Sequence, residues 1–342
     1  MILRLTFFER LLHRFHLFPT PVMDAFAGIV FGRALTIAVR KGLFEAVAAR
    51  PLSVQEIARH VHLSAEGVHL LAEAFTIGGY LRRAGEKYIV SAEGKKWLLK
   101  SSPSYLGHLV NYFETLYSRW GSLEYSLEHG RPMKPYYDMF GDKEWETYVY
   151  GMRDLARLLM PEVVNKVALP GSPKHLLDVG GSHGLYAIEC CRRYPGLQAV
   201  VMDFEPALRH TATVVQEAGM QGRVQLVAGD FTSRSLPEDQ DAVLIFNVIH
   251  GFDEAGNREL VRRSLHSLKP GGKLYILDQM VEDRRRSTLE QFMPVMVGLN
   301  LLNEIGGSTF SFEQVRSWCA GVLSVKRMRL RLPGVTLVEA TR

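Results

Sequence analysis

The sequence predicts an α/β protein: a doubly wound parallel sheet in the C-terminal half, closed by an antiparallel hairpin, behind a mainly α N-terminal region. Three observations carry this. From residue 174 onward short apolar runs alternate with helical patterns, as parallel strands buried on both faces do. The last two strand patterns follow one another with no helix between them. Residues 53–90 read as helix, helix and a small hairpin, a winged-helix pattern. At 342 residues the chain is long enough for two domains. The expected division is 1–100 for an N-terminal helix and winged-helix dimerisation domain, 101–165 for a helical connecting layer, and 166–342 for the sheet domain.

Residues 1–18 have Leu5, Phe8, Leu12 and Phe15 at helical spacing, with Arg4, Arg10 and Arg14 between them. Pro19 and Pro21 end that pattern. The segment reads as a helix packed on its own protein or on a twin subunit, with contact to a membrane surface as the alternative. Ser53 with Glu56 forms a capping box, Ser64 caps a second helix, and Gly78-Gly79 stop it. YLRR, the turn AGE and KYIV then make the hairpin. A helix that reads DNA needs Arg, Lys, Asn or Gln to reach base edges. Residues 64–77 have none, and they carry Glu66 and Glu73. A structural or dimer-forming role is expected there, and no nucleic acid partner. Residues 103–165 read as helical and rich in aromatics, among them Tyr112, Trp120, Trp145 and Tyr148.

The expected strands are 175–179, 198–203, 223–228, 241–248 and 273–278, with helices at 184–194, 205–219 and 254–268. In SVKRMRLRL, at 324–332, Met328, Leu330 and Leu332 face inward while Arg327, Arg329 and Arg331 face outward. Pro333-Gly334 turns the chain into a last strand at 335–340.

With 47% apolar and 23% charged residues the chain is neither disordered nor fibrous. No run of 18 apolar residues is evident, and the longest candidate, 292–302, contains Pro294. The expectation is therefore no integral membrane association. The net charge of +5 is unevenly placed. Residues 1–100 hold 14 Lys and Arg against 8 Asp and Glu, while the other 242 hold 27 against 28. Three cysteines make no disulfide framework and no zinc spacing, so no metal is expected. Without a signal peptide pattern, the cytoplasm is the default expectation.

In open α/β sheets ligands bind beyond the carboxyl ends of the strands. After the first strand comes Asp178-Val179-Gly180-Gly181-Ser182-His183-Gly184, a glycine loop that lets backbone approach a ligand at a helix N-terminus. The nicotinamide fingerprint wants Gly at 182 and 185, where Ser and Leu stand. Asp203 ends the second strand, either to accept ribose hydroxyls or to cap the next helix. Gly229-Asp230-Phe231 follows the third, to bind and flank an adenine or merely to make a turn. Together these sites suit an adenosine, and no triphosphate-binding loop is present. After the fourth strand, His250 stands where a substrate would lie, as a base or as a strand-end histidine. Asp278 ends the fifth, to orient His250 or to cap.

LLDVGGSHG, VVMDFEPAL, AGDF, NVIHGFDE and LKPGGKLYILD, in this order and spacing, resemble S-adenosylmethionine-dependent methyltransferases. With the N-terminal winged helix, residues 22–342 resemble the two-domain O-methyltransferases of plant phenolic and bacterial secondary metabolism. The resemblance implies a Rossmann-like fold, S-adenosyl-L-methionine as cofactor, and a homodimer through the N-terminal domain. It implies that Gly180 and its neighbours, Asp178 and Gly181 among them, hold the methionine part, Asp203 the ribose and Asp230 with Phe231 the adenine, with Phe204 a further cofactor-binding residue. Gly229, Asp230, Phe231 and Asn247 would complete the cofactor site. His250 would be the base, with Asp278 beside it, for methyl transfer to a hydroxyl of a small aromatic or polyketide-like acceptor. An acceptor pocket is expected from Trp145, Met152, Met160, Phe292, Met293 and Met296. Plant members carry a glutamate where this chain has Thr309. N- or C-methylation, and cofactor binding with non-methylating chemistry, are the alternatives on this fold. A winged-helix regulator that senses a small ligand is a further one.

Overall fold

The computed structural model describes residues 7–17, 19–281 and 288–342, and of Tyr136 only the backbone. The chain forms two compact units, Met1–Leu116 and Tyr117–Arg342.

In the first unit α1 spans Phe7–Arg14, α2 Thr20–Arg40, α3 Leu43–Ala46, α4 Val54–Val61 and α5 Ala65–Ile77. Strands β1 (Leu81–Ala84) and β2 (Lys87–Val90) form an antiparallel hairpin, followed by α6 (Ala92–Leu98) and α7 (Gly107–Tyr117). The expected caps form. Ser53 Oγ accepts from the Glu56 N–H and Glu56 Oε2 from the Ser53 N–H, which starts α4. Ser64 Oγ accepts from the Gly67 N–H, which starts α5. Leu43, Phe44, Ile57, Val68 and Phe75 close a core beneath the hairpin. Glu73 of α5 is engaged by Arg83 of β1, at 2.6 Å from Nη2, and by the Tyr88 hydroxyl of β2. The carboxylate that argued against DNA thus also neutralises a hairpin arginine.

Two expectations change in this unit. Of the helix expected over 1–18, Arg4, Leu5 and Phe18 lie outside the described residues, and α1 ends at Arg14. Pro19 and Pro21 begin α2 as well as ending the earlier pattern, because a proline in the first turn removes no helical hydrogen bond. Second, α2 is long and apolar enough to cross a membrane by length and composition. Asp24 and Arg33 interrupt its apolar run. Arg33 and Arg40 both reach Glu114 of α7, at 2.9 and 3.0 Å.

The second unit contains α8 (Leu123–His129), α9 (Asp142–Lys166), β3 (His175–Val179), α10 (Leu185–Arg193), β4 (Gln198–Asp203) and α11 (Glu205–Glu217). It continues with β5 (Val224–Ala228), β6 (Gln240–Phe246), α12 (Glu254–Ser267) and β7 (Leu268–Val281). Then come α13 (Thr288–Ile305), β8 (Phe310–Ser311), α14 (Phe312–Trp318), β9 (Ser324–Arg329) and β10 (Val335–Thr341). The sheet order is β5-β4-β3-β6-β7-β10-β9, with β8 paired to the end of β7. Strands β5 to β7 run parallel, and β10 is antiparallel to both its neighbours.

Both faces of the sheet are covered. Leu176, Val201, Leu244 and Leu337 pack under α9, α10 and α11. Leu177, Met202, Val243 and Val338 pack under α12 and α14. Each such side chain contributes about 1.5–3 kcal/mol by leaving water. This two-sided cover corrects one expectation in β9. Met328 and Leu330 face the first core as expected, but Arg327 does not face solvent. It shares the face of Val325, and its guanidinium lies 5.1 Å from the Phe312 ring centroid. Alternation along this strand separates two protein faces rather than protein from water.

Candidate active site

The chain leaves β3 toward β4 on one side and returns through β6 on the other. This switch point opens a cleft beyond the carboxyl ends of the strands. Gly180 follows β3 with φ +66°, and a Cβ there would lie 2.5 Å from Val248 Cγ2. Only glycine lets the two loops approach so closely. A Cβ at Gly181 would meet the Asp178 carboxyl carbon at 2.6 Å. The sequence GlyGly is therefore needed sterically, whatever ligand lies above it.

A cavity of about 220 Å³ occupies this point. Gly180, Asp203, Phe204, Phe231 and Asn247 line one part of it, and His250 lines it beside Gly251. These are six of the residues singled out in the sequence. Asp203 Oδ2 accepts from the Ser182 N–H and Oδ1 from the Phe204 N–H, both at 2.7 Å. Burial raises its pKa to about 6 against those two hydrogen bonds. Asp178 lies beneath, fully buried, and burial together with the Asp203 charge pushes its pKa up to about 8. It does not line the cavity and packs against Gly181 of the glycine loop.

Two histidines stand near this cleft, and their environments separate their roles. Burial first, then Arg153 and Arg157, push His183 down to about 3. Its Nδ1 accepts from the Leu185 N–H at 3.0 Å, so it stays neutral and structural. His250 follows β6 in a short turn, Ile249–Gly251, entered by Asn247 at φ 55°. Asp278 Oδ1, 2.8 Å away, accepts from His250 Nδ1. A carboxylate only accepts, so the proton of the neutral ring sits on Nδ1 and Nε2 is the basic atom. Burial disfavours the imidazolium, but Asp278 and Glu304 more than offset this, and the His250 pKa stands above its ordinary value. Asp278 itself is 1% exposed and also accepts from the Gln279 N–H.

The rest of the lining is aromatic. Tyr137 and Trp145 stack, with centroids 5.5 Å apart at 12°, and Tyr148 lies edge-on to Trp145. Phe231 meets Phe204 at 5.7 Å and Phe252 at 6.0 Å. Of the expected acceptor residues only Trp145 lines this cavity. Met160 packs on the sheet core instead. Met152 is half-buried outside the lining, and of α13 Phe292 is about half exposed and Met293 and Met296 about a third, none of them in the lining. The sequence reading could see that α9 and α13 were apolar but not which way they turned.

Asp230 does not line the cavity either. Its Oδ1 accepts from the Thr232 N–H and hydroxyl and its Oδ2 from the Ser233 hydroxyl, so it closes its own turn. Gly229 is packed against Arg234. Arg263 of α12, which sequence reasoning missed, donates from Nη1 to the carbonyls of Phe231 and Thr232, at 3.1 and 2.6 Å, and from Nη2 to that of Arg234. It fixes the loop that presents Phe231, and nothing near it in the sequence marks it. The cavity therefore offers a carboxylate, flanking aromatic rings and a glycine-lined backbone. This set fits an S-adenosylmethionine: polar ribose at Asp203, a flat ring between aromatics, close backbone at Gly180.

Residues 114–314 match the family of O-methyltransferase domains. The chain belongs to this O-methyltransferase family. It is 28% identical over 330 residues to the 3-hydroxy-5-methyl-1-naphthoate 3-O-methyltransferase of Streptomyces sahachiroi, covering 94% of each chain. It is 24% identical over 290 residues to the tetracenomycin polyketide synthesis 8-O-methyl transferase of Streptomyces glaucescens, covering 83% of this chain and 84% of that one. The crystal structure of human N-acetylserotonin methyltransferase in complex with S-adenosylmethionine superposes with a TM-score of 0.83 at 21% identity, over 94% of this chain and 97% of that one. For this O-methyltransferase the solved structure establishes the shared fold, a mainly helical N-terminal region and a mostly parallel sheet.

Proposed function

We propose that this O-methyltransferase acts on a hydroxyl of a small aromatic acceptor, with His250 as the base. S-adenosylmethionine is the methyl donor. The observation that carries the reading is the His250–Asp278 pair at the wall of the aromatic cavity, beside Gly180 and Asp203. The naphthoate and tetracenomycin relatives support an aromatic or polyketide-like acceptor. The cofactor supplies an activated methyl group. The chain's own residues have three tasks: to hold donor and acceptor in line, to exclude water, and to take one proton. The flat walls made by Tyr137, Trp145 and Phe252 suit the first two. Nε2 of His250 performs the third, while Asp278 holds Nδ1–H and fixes the ring. A sample incubated with S-adenosylmethionine and a panel of naphthols and hydroxylated polycyclic aromatics is expected to yield a product heavier by one methylene, with NMR placing the methyl on oxygen. A methyl on nitrogen or carbon overturns the reading.

The reading includes a homodimer through the N-terminal unit. What supports it is an apolar surface that the single chain leaves open: Phe7 of α1 and Phe26 and Ile29 of α2 are 83%, 65% and 64% exposed. Isolated soluble chains rarely leave so much apolar surface in water. Sedimentation is expected to give twice the 38.6 kDa chain mass at micromolar concentration. A monomer would remove this part of the proposal.

A further inference from the structure

Two loops that line the cavity are held by one helix, α12. The first is the His250 turn. Asp253, just after it, caps the helix: its Oδ1 accepts from the Gly256 N–H at 2.8 Å. One turn on, Asn257 is fully buried, and its Nδ2 donates to the carbonyls of Ile249 and Phe252, at 2.8 and 3.3 Å. These two residues flank His250 and Gly251. The second loop is 229–234, where Arg263 donates to the carbonyls of Phe231, Thr232 and Arg234. The loops meet at the cavity wall, where the Phe231 and Phe252 rings stand edge to face, 6.0 Å apart at 88°. Each of these phenylalanines thus has its own carbonyl tied to α12. Between the two polar residues, Leu260 and Val261 are buried in the core beside the sheet and anchor the helix.

We propose that Asn257 and Arg263 are positioning residues of the transfer. Through them α12 holds the base turn and the Phe231 loop in one frame, which keeps the cofactor's methyl in line with the acceptor oxygen at His250. This rests on the readings of His250 as the base and of Phe231 as a neighbour of the adenine. The methyl group arrives activated, so alignment is the larger part of what the chain contributes, and a misplacement of about 1 Å costs about 10²-fold in rate. The residue types suit the task. A carbonyl oxygen only accepts, so each one needs a donor. A guanidinium presents its N–H groups in a fixed fork and serves three carbonyls at once, which one ammonium on a flexible stem does not reproduce. Asn257 supplies neutral donors in a place where a buried charge would be costly.

The test is a split between binding and turnover in the full chain. Arg263→Lys is expected to weaken S-adenosylmethionine and its demethylated product about tenfold in calorimetry, with turnover at saturating cofactor falling by less than affinity does. Asn257→Leu, which removes the donors at similar volume, is expected to do the reverse: turnover on a neutral naphthol falls tenfold or more while cofactor affinity stays within about threefold. Asn257→Ser, which keeps one donor, should recover part of that turnover. Because Arg263 acts through Phe231, Arg263→Lys added to Phe231→Ala should weaken the cofactor by less than about twofold further. Losses that add in full overturn the proposal. So do variants whose affinity and turnover fall together in step with melting temperature. Phe231→Ala and His250→Ala are measured alone as well. If the first binds cofactor like wild type, or the second turns over like wild type, it is the adenine or the base reading that has failed, and the role of α12 goes with it.

Discussion

His250→Ala is expected to keep its affinity for S-adenosylmethionine and to lose roughly 10²–10⁴ in turnover on a neutral phenol, the range of general base catalysis. The argument is geometric before it is electrostatic. Of the two histidines at the switch point, His183 spends Nδ1 on the Leu185 N–H and is held neutral by burial and by Arg153 and Arg157. His250 has Nδ1 tied to Asp278 and lines the cavity. A phenol near pKa 10 surrenders its proton too rarely at neutral pH without such a partner. The sign of the pH dependence follows. The His250 pKa is raised, so its basic form is lost as pH falls through a value above the ordinary imidazole range. Wild-type turnover should fall on that limb, and the Ala variant should lack it. An acceptor with a low pKa should rescue the variant, because its oxygen is already ionised. Asp278→Asn should cost less than His250→Ala, since Asp278 acts through the ring. Rates for wild type and His250→Ala that agree within a factor of about three between about pH 6 and 9 would make His250 structural.

Asp203→Ala is expected to weaken S-adenosylmethionine binding by at least tenfold in calorimetry. A lost hydrogen bond to a charged group costs about 1.5–3 kcal/mol, and about 1.4 kcal/mol is a factor of ten. Two effects act together. The carboxylate lines the cavity where a ribose would lie, and it also anchors the glycine loop through the Ser182 and Phe204 N–H groups. Its removal leaves those two donors without their acceptor and frees the loop that presents Gly180. It also takes a negative charge away from Asp178, whose raised pKa should drop. Unchanged affinity for both the cofactor and its demethylated product would remove the ribose assignment.

Part of the cavity lining was legible in the residues themselves, because Gly180, Asp203, Phe204, Phe231 and Asn247 each sit within a few positions of a strand end. The apolar run 175–179 and the glycines after it specify a buried strand and a close turn without reference to the rest of the chain. The same holds for Asp203 at the end of β4 and His250 after β6. Asp230 shows the limit. Its place after β5 was visible, but whether its carboxylate was free depended on Thr232 and Ser233 turning back onto it.

By itself, the sequence determined the α/β architecture, the apolar strands of a sheet buried on both faces, the caps of α4 and α5, and the places after β3, β4 and β6 from which Gly180, Asp203 and His250 reach the cavity. Those are local properties: periodicity, capping and turn chemistry act over fewer than about ten residues. Only the tertiary structure decided which aromatics face the cleft, so that Tyr137, Tyr148 and Phe252 line it while Phe292 and Met293 lie outward. It also decided that Arg327 lies over Phe312 and that Arg263 clamps the loop of Phe231. In each case the partners come from segments far apart in the chain. Helix rotation about its axis, set by packing on the sheet, selects the face that meets them. A one-residue rotation turns a helix by about 100°, and no local pattern in α9 or α13 fixes that angle to the precision a side-chain contact requires.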